Sequence, residues 1–307
     1  LLVEKIVKEE NIDCDFIKQD SYVFTQDPIS KEKLKNELTA MKELDFEAHY
    51  SEKTLPLPIP NVVASISFPS QAQFHPLKYL NGILQFLSSY PVTVYEHTKA
   101  IDIKKDGDTY ITTTEEGFTI GSKFVIMATK YPFINTPGFY FLKMYQSTSY
   151  VVAIETEKNL SDGMYISCDT PTLSFRKVTN PDRNILLVGG YDHKTGSEPP
   201  VSNPYDSLYS IAKKMYPDAK LLYQWETEDC ISLDKIPYIG PFSNLTPHFY
   251  VATGFKKWGM TSSHVAASIL VDQICNHNNA YADIFSSTRF HPIQNKDEMK
   301  NMLKDST

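Results

Sequence analysis

Glycine is scarce in this chain: twelve among 307 residues, none set in a G-x-G-x-x-G pattern. The fingerprint whose glycines bring backbone N–H groups up to a pyrophosphate is therefore not found within it. Cysteine is scarcer. Cys14, Cys168, Cys230 and Cys275 stand outside any C-x-x-C or C-x-H spacing, which argues against a zinc or iron–sulfur ligand set in this stretch. Scattered single thiols fit a reducing, cytoplasmic setting. No apolar run approaches the roughly 20 residues that a membrane-spanning helix needs. Positive charge is in deficit, with 30 Lys and Arg against 37 Asp and Glu and a formal net charge of -7. A nucleic-acid partner, which needs clustered cations, is not expected. No Ser–His–Asp set or metal-ligand cluster points to hydrolysis, and there is no internal repeat or low-complexity tract.

What is there reads as a globular chain, 41% hydrophobic and 22% charged, long enough for one large domain or two ordinary ones. Nineteen Tyr and seventeen Phe read first as packing. Residues 1–10 carry Leu2, Val3, Ile6 and Val7 on one helical stripe that starts without a cap, as if the chain had been cut. Ser30 is a plausible N-cap for a helix over 30–44, with Leu34, Leu38 and Met41 at helical spacing. The alternating prolines of Leu55–Pro60 force extended backbone. A strand over Val62–Phe68 precedes a helix opened by Pro76, with Leu77, Leu80, Ile83, Leu84 and Leu87. Short strands follow at Val92–Tyr95, Ala100–Lys104, Thr109–Thr114, Phe118–Ile120 and Phe124–Ala128. A β-rich stretch spans Tyr150–Gly190, with a turn at Asn180–Asp182. Helices are expected at about Pro204–Tyr216 and Thr261–Cys275, the second entered from a strand over Phe249–Ala252. Helix and strand types intermix without a clean linker, which favours interleaved domains.

The stretch His248–Ile274, HFYVATGFKKWGMTSSHVAASILVDQI, is a β run, a glycine-containing turn and a helix. Free N–H groups at such a helix start attract anions and electron-rich oxygens, although an ordinary strand–turn–helix connection fits the same pattern. Together with Val92–Thr129, Trp225–Gly240 (WETEDCISLDKIPYIG) and Leu173–Gly196 (LSFRKVTNPDRNILLVGGYDHKTG), it resembles the FAD-dependent D-amino-acid oxidase/glycine oxidase family.

The resemblance implies an α/β fold of α+β character: an incomplete FAD-binding domain over 1–12, 69–137 and 233–285, interleaved with a substrate domain over 13–68 and 138–232. The latter would be built on a mixed or antiparallel sheet, and 286–307 would form a C-terminal tail. The resemblance also implies FAD as cofactor, a small-molecule amine or amino-acid-like substrate, and transfer of a hydride equivalent from a C–N carbon to the flavin. Residues matching cofactor contacts are Ala100, Ala128, Thr129, Gly254, Trp258, Gly259, Met260 and Thr261. Lys257 falls where glycine oxidases carry an arginine near substrate. Lys130 stands where the family usually has glycine. In the pattern W-x-x-x-R-x-x-x-x-D-x-x-P-x-I-G, Trp225, Asp234, Pro237 and Gly240 match, but Asp229 replaces the carboxylate-gripping arginine. An acid cannot substitute for that fork, so a cationic or amine substrate is the sharper expectation.

Leu173–Gly196 resembles a branch whose members include some with a Rieske domain after the FAD region, and makes Arg176 and His193 candidates. A sheet-face ion pair and a turn hydrogen bond are their plainer readings. The family's phosphate-binding loop would precede Leu1, and any Rieske domain would follow Thr307. This stretch alone is therefore expected to be inactive. The competing reading is a non-catalytic association module, with a homo-oligomer left open.

Overall fold

Hydrophobic alternation and helical stripes lay down most of the elements. The computed structural model describes residues 2–289. In chain order it contains α1 (Leu2–Glu9), β1 (Ile17–Thr25), α2 (Lys31–Glu43), β2 (His49–Ser51), β3 (Ala64–Gln73), α3 (Pro76–Leu87), β4 (Ala100–Asp106), β5 (Thr109–Thr114), β6 (Thr119–Ser122) and β7 (Val125–Met127). There follow β8 (Met144–Thr156), β9 (Met164–Ser167), β10 (Leu173–Lys177), β11 (Asn184–Lys194), α4 (Pro204–Met215), β12 (Lys220–Ser232), β13 (Tyr238–Pro241), β14 (Phe249–Thr253) and α5 (Gly259–Ile274). None of the described helices is long and apolar enough to cross a membrane. The fold is mixed α/β, as expected.

Contacts divide the chain into two units. One holds Glu4–Phe86 and Thr148–Glu228; the other holds Leu87–Ser147 and the described residues from Asp229 onward. The first is organised by an eight-stranded mixed sheet of order β12-β8-β11-β10-β9-β1-β3-β2. Within it β1 runs antiparallel to β3 and parallel to β9. Phe24, Val152, Ile154, Phe175, Leu186 and Val188 line one face and meet Leu208 and Ala212 of α4. Asn203 caps that helix, accepting from the N–H groups of Tyr205 and Asp206, with Pro204 in the first turn. The proline ladder is not helical but bends at Pro56 and Leu57, where Ile59 N–H donates to the Leu57 carbonyl at 2.7 Å, and it turns Leu55, Leu57 and Ile59 into the same core.

The second unit contains two three-stranded sheets, β13-β14-β7 and β4-β5-β6. All five residues of β14 are buried. β14 runs antiparallel to β13 and parallel to β7. The Tyr110 hydroxyl of β5 donates to the Pro247 carbonyl at 2.7 Å, and its ring meets Phe249 edge-on.

Several sequence expectations shift. Ser30 makes no capping hydrogen bond; the Asp27 carboxylate instead accepts from Ile29 N–H and caps the short 3-10 turn leading into α2. Val92–Tyr95 is not a strand, because no neighbouring strand pairs with it among the described residues. α3 forms, but it buries Tyr79 and leaves Leu77, Leu80 and Leu84 exposed. The expected strand over Val62–Phe68 starts at Ala64 and runs on to Gln73, matched to the length of β1.

Residues 286–289, expected to begin a tail, are clamped into the second unit. Arg289 grips both oxygens of Asp234 at 2.7 and 3.0 Å. It also donates to the Pro237 carbonyl at 2.9 Å and lies 4.0 Å over the Tyr238 ring. Ser286 bridges Ile239. The rest of the expected tail, 290–307, lies outside the described residues. Burial pushes the Asp234 carboxyl up, but the Arg289 guanidinium and the Ile236 N–H outweigh it and hold the group below the usual carboxylate range.

A carboxyl depressed in the folded state contributes stability above its unfolded pKa of about 3.9 and loses it as pH falls through the folded value. Asp234→Asn or Arg289→Met should each lower unfolding free energy by about 3 kcal/mol near neutral pH, because each leaves a buried partner unpaired. Denaturant unfolding followed below about pH 4 should show the native protein losing stability more steeply than Asp234→Asn; parallel curves would exclude the ion pair as the cause.

Candidate functional site

Parallel strands put their carboxyl ends on one side of a sheet, where ligands of open α/β folds bind. The register Phe249↔Val125, Tyr250↔Ile126, Val251↔Met127 does this for β14 and β7. Ala128, Thr129 and Lys130 leave one strand end, and Gly254 leaves the other. The Thr253 hydroxyl donates to the Lys130 carbonyl and ties the two exits together. Ala128 and Thr129 are exposed there.

Lys130 has φ +53. That is the left-handed conformation glycine adopts freely, so the departure from the family's glycine leaves the local turn intact. Gly254 has φ +71 and is buried, with the Met144 sulfur 3.1 Å from where a Cβ would stand. Both constraints exclude a side chain at Gly254.

From Gly254 the chain turns through Lys257 and Trp258, both exposed, into α5. Gly259 is its first residue, and an added Cβ there would meet nothing within 4 Å. Trp258 occupies the cap position and offers no side-chain acceptor. The N–H groups of Gly259, Met260 and Thr261 thus lack intrahelical partners, while Ser262 N–H already donates to the Trp258 carbonyl at 2.9 Å. The Thr261 hydroxyl donates back to the Trp258 carbonyl at 3.1 Å, and His264 Nδ1–H donates to the Met260 carbonyl at 2.6 Å. The helix starts two residues before the expected Thr261. Ala100 begins β4, opposite Thr114 and next to a bulge, in the other small sheet.

Asp229 is half-buried on β12. Lys256 N–H donates to the Cys230 carbonyl at 3.0 Å, and Ile231 bridges Phe255. Asp229 precedes Cys230, and Lys257 follows Lys256 in the turn, so the paired Cys230 and Lys256 hold the two candidates on neighbouring segments. These two candidates therefore belong to one patch of one unit.

Arg176 and His193 lie in the other unit, on opposite faces of the large sheet. On β10 and β11, Phe175 pairs Val188 in the buried core, whereas Arg176 pairs Leu187 on the other face. Tyr191, with φ +56, resets the alternation of β11, so His193 lies on the core face. Its ring stacks on Tyr150 at 5.7 Å and 7°. His193 Nδ1 is buried without a hydrogen-bond partner among the described residues, so the turn hydrogen bond considered for it is not made through that atom. Arg176 is reached by solvent, yet the protein around its guanidinium lowers its pKa by desolvation. No sheet-face ion pair is formed by Arg176 among the described residues.

Sequence reading did not single out Thr253 or Arg289. Thr253 sits inside the A-T-G run and had a local signal; Arg289 had none, because its partner Asp234 is 55 positions away.

The family model described as FAD dependent oxidoreductase (DAO) matches residues 1–273. A curated relative, the putative Rieske 2Fe-2S iron-sulfur protein YhfW of Bacillus subtilis (strain 168), is 38% identical over 289 residues, covering 94% of this chain and 56% of that protein. The chain thus spans little more than half of that relative's length. Among solved structures, glycine oxidase from Geobacillus kaustophilus superposes with a TM-score of 0.78 at 18% identity, covering 94% of this chain and 80% of that one. L-proline dehydrogenase from P. horikoshii gives 0.78 at 16% identity, over 94% and 80%.

The two strand exits differ in what they tolerate. Lys130→Gly should be neutral or stabilising by up to about 1 kcal/mol, since it relieves a left-handed non-glycine. Gly254→Ala should destabilise by more than about 1 kcal/mol. Paired denaturant titrations test the contrast, and equal effects would contradict it.

Proposed function

This chain belongs to the FAD dependent oxidoreductase (DAO) family, and on that premise we propose that its parent protein oxidises a C–N bond of an amine or amino-acid-like substrate. The observation that carries the reading is the uncapped start of α5, open at Gly259, beside the carboxyl ends of β14 and β7. Its free N–H groups suit the electron-rich edge of a flavin ring, and the absence of a side chain at Gly259 allows close approach. When bound, FAD supplies the acceptor for a hydride equivalent leaving the substrate carbon. Gly254, Trp258, Met260 and Thr261 shape that helix start, and Ala128 and Thr129 border it. Ala100 serves the adenosine part through its backbone. Lys257 places positive charge at the same turn, where it favours negative charge developing nearby.

Asp229 decides the substrate class. It supplies a carboxylate where the family's pattern has a guanidinium, so it meets a cationic group better than a carboxylate. A substrate amine or N-substituted ammonium fits this better than glycine held by its acid group. Arg176, solvent-reached and unpaired among the described residues, and His193, stacked on Tyr150, remain candidates on the large sheet of the first unit.

A Cβ at the exposed Gly259 meets no protein atom within 4 Å, so the unliganded stability of Gly259→Val should change by less than about 0.5 kcal/mol. FAD affinity, read by fluorescence titration of the full-length protein, should fall at least roughly tenfold, about 1.4 kcal/mol. Unchanged affinity would remove α5 from the cofactor site. The substrate reading is tested by offering amines, N-methylated amino acids and free amino acids while flavin bleaching is followed. Amines should bleach fastest, and Asp229→Ala should slow them selectively. Rapid bleaching by glycine or D-alanine, indifferent to Asp229→Ala, would reverse the assignment.

A further inference from the structure

A sheet edge exposes a row of N–H and C=O groups able to pair with another strand, and proteins blunt such edges with short strands, prolines, bulges or covering elements. The large sheet blunts one edge only. β2, at one end, is three residues long. β12, at the other end, runs for 13 residues without proline or glycine. Its last part is covered, since Cys230 accepts from Lys256 and Ile231 bridges Phe255. From Lys220 to Glu226 no comparable pairing occurs among the described residues, and apart from half-buried Leu222 this run is exposed.

The exposed run carries an unbroken apolar triplet on one face and a mostly polar set on the other. Leu221, Tyr223 and Trp225 alternate along the strand and are 41%, 66% and 40% exposed. Large aromatic side chains left in water on an edge strand mark an interaction surface. The complementary set is Lys220, Leu222, Gln224 and Glu226.

We propose that two copies of the chain pair antiparallel through β12, about a two-fold axis at Tyr223, into one continuous sheet. In that register Tyr223 faces its own copy, Leu221 faces the partner's Trp225, and Lys220 faces the partner's Glu226. Every pair occurs twice, as an isologous interface requires. The apolar triplet of each copy meets the same triplet of the other. The opposite face closes with a Lys–Glu pair at each end, while Leu222 opposes Gln224. Cross-strand aromatic, aromatic–aliphatic and opposite-charge pairs are the units that stabilise antiparallel strands. The occupant that this pattern fits is a second copy, because the Leu221–Tyr223–Trp225 triplet and the Lys220–Glu226 charges each match their own two-fold image. The inference concerns the first unit alone and does not depend on the flavin reading.

Sedimentation equilibrium on the full-length protein should show a concentration-dependent dimer. Lys220→Glu and Glu226→Lys each set like charges opposite one another and should weaken dimerisation by roughly tenfold; the double exchange should restore it. These side chains are at the surface, so the unfolding midpoint of each variant should match the parent's. An independent readout is covalent. In a Cys275→Ser background, Tyr223→Cys should give a disulfide-linked dimer under mild oxidation, because directly opposed residues in antiparallel strands have Cα atoms about 5 Å apart. Leu222→Cys, opposed by Gln224, should cross-link far less. A monomer at every concentration overturns the proposal. So does a dimer that ignores the charge exchange and fails to cross-link at position 223, which would put the interface, or a different partner's docking face, elsewhere.

Discussion

The bidentate ion pair between Arg289 and Asp234 is the constraint on which the β13–β14–α5 end of the second unit rests. Three backbone carbonyls, of Ile236, Pro237 and Ser286, take further hydrogen bonds from the same guanidinium, whose side chain is only 8% exposed. A charge at that depth persists only because all of these acceptors converge on it. The turn leading into β13 is thereby fixed, β13 is fixed against β14, and β14 delivers Gly254 and the start of α5. The Lys143 ammonium, close by, feels the cost: burial first, and then the Arg289 charge, lower its pKa, with the Tyr140 ring 4.9 Å away.

Legibility in the sequence followed the range of the interactions that define each element. β5, at Thr109–Thr114, fell where alternation and flanking glycines put it, and α4 and α5 lay within two residues of their apolar patterns. Strand β1 was not legible. Its first residues, Ile17-Lys-Gln-Asp-Ser, lack alternation, and its interior place comes from pairing with β3 and with β9, far along the chain. β12 escaped for a different reason: Leu221, Tyr223 and Trp225 alternate along it, but Leu222 interrupts the polar set between them and no burial on either face marks the run as a core strand. The site divides the same way. The A-T-G turn and the opening at Gly259 are local and visible. The tie from Thr253 to Lys130 and the clamp by Arg289 depend on residues brought together only by the fold.

Lys130 illustrates how a departure from a family pattern can be read too strongly. A glycine position signals a backbone conformation, and a lysine can hold φ +53 when the surrounding hydrogen bonds fix it. Asp229 is of another kind. Replacing a cation by an anion changes the charge presented whatever the backbone does, so the same sort of mismatch changes chemistry at one position and carries only a strain cost at the other.

The large sheet separates two tasks by parity. Odd and even positions along β10 face opposite ways, so Phe175 is committed to the buried core while Arg176 and Ser174 answer to whatever meets the other face. Mutations on the second set leave the packed layer beneath α4 untouched. Side chains at Ser174, Arg176 and Leu187 can therefore vary, in nature or by directed evolution, without each step having to be compensated in that packed layer.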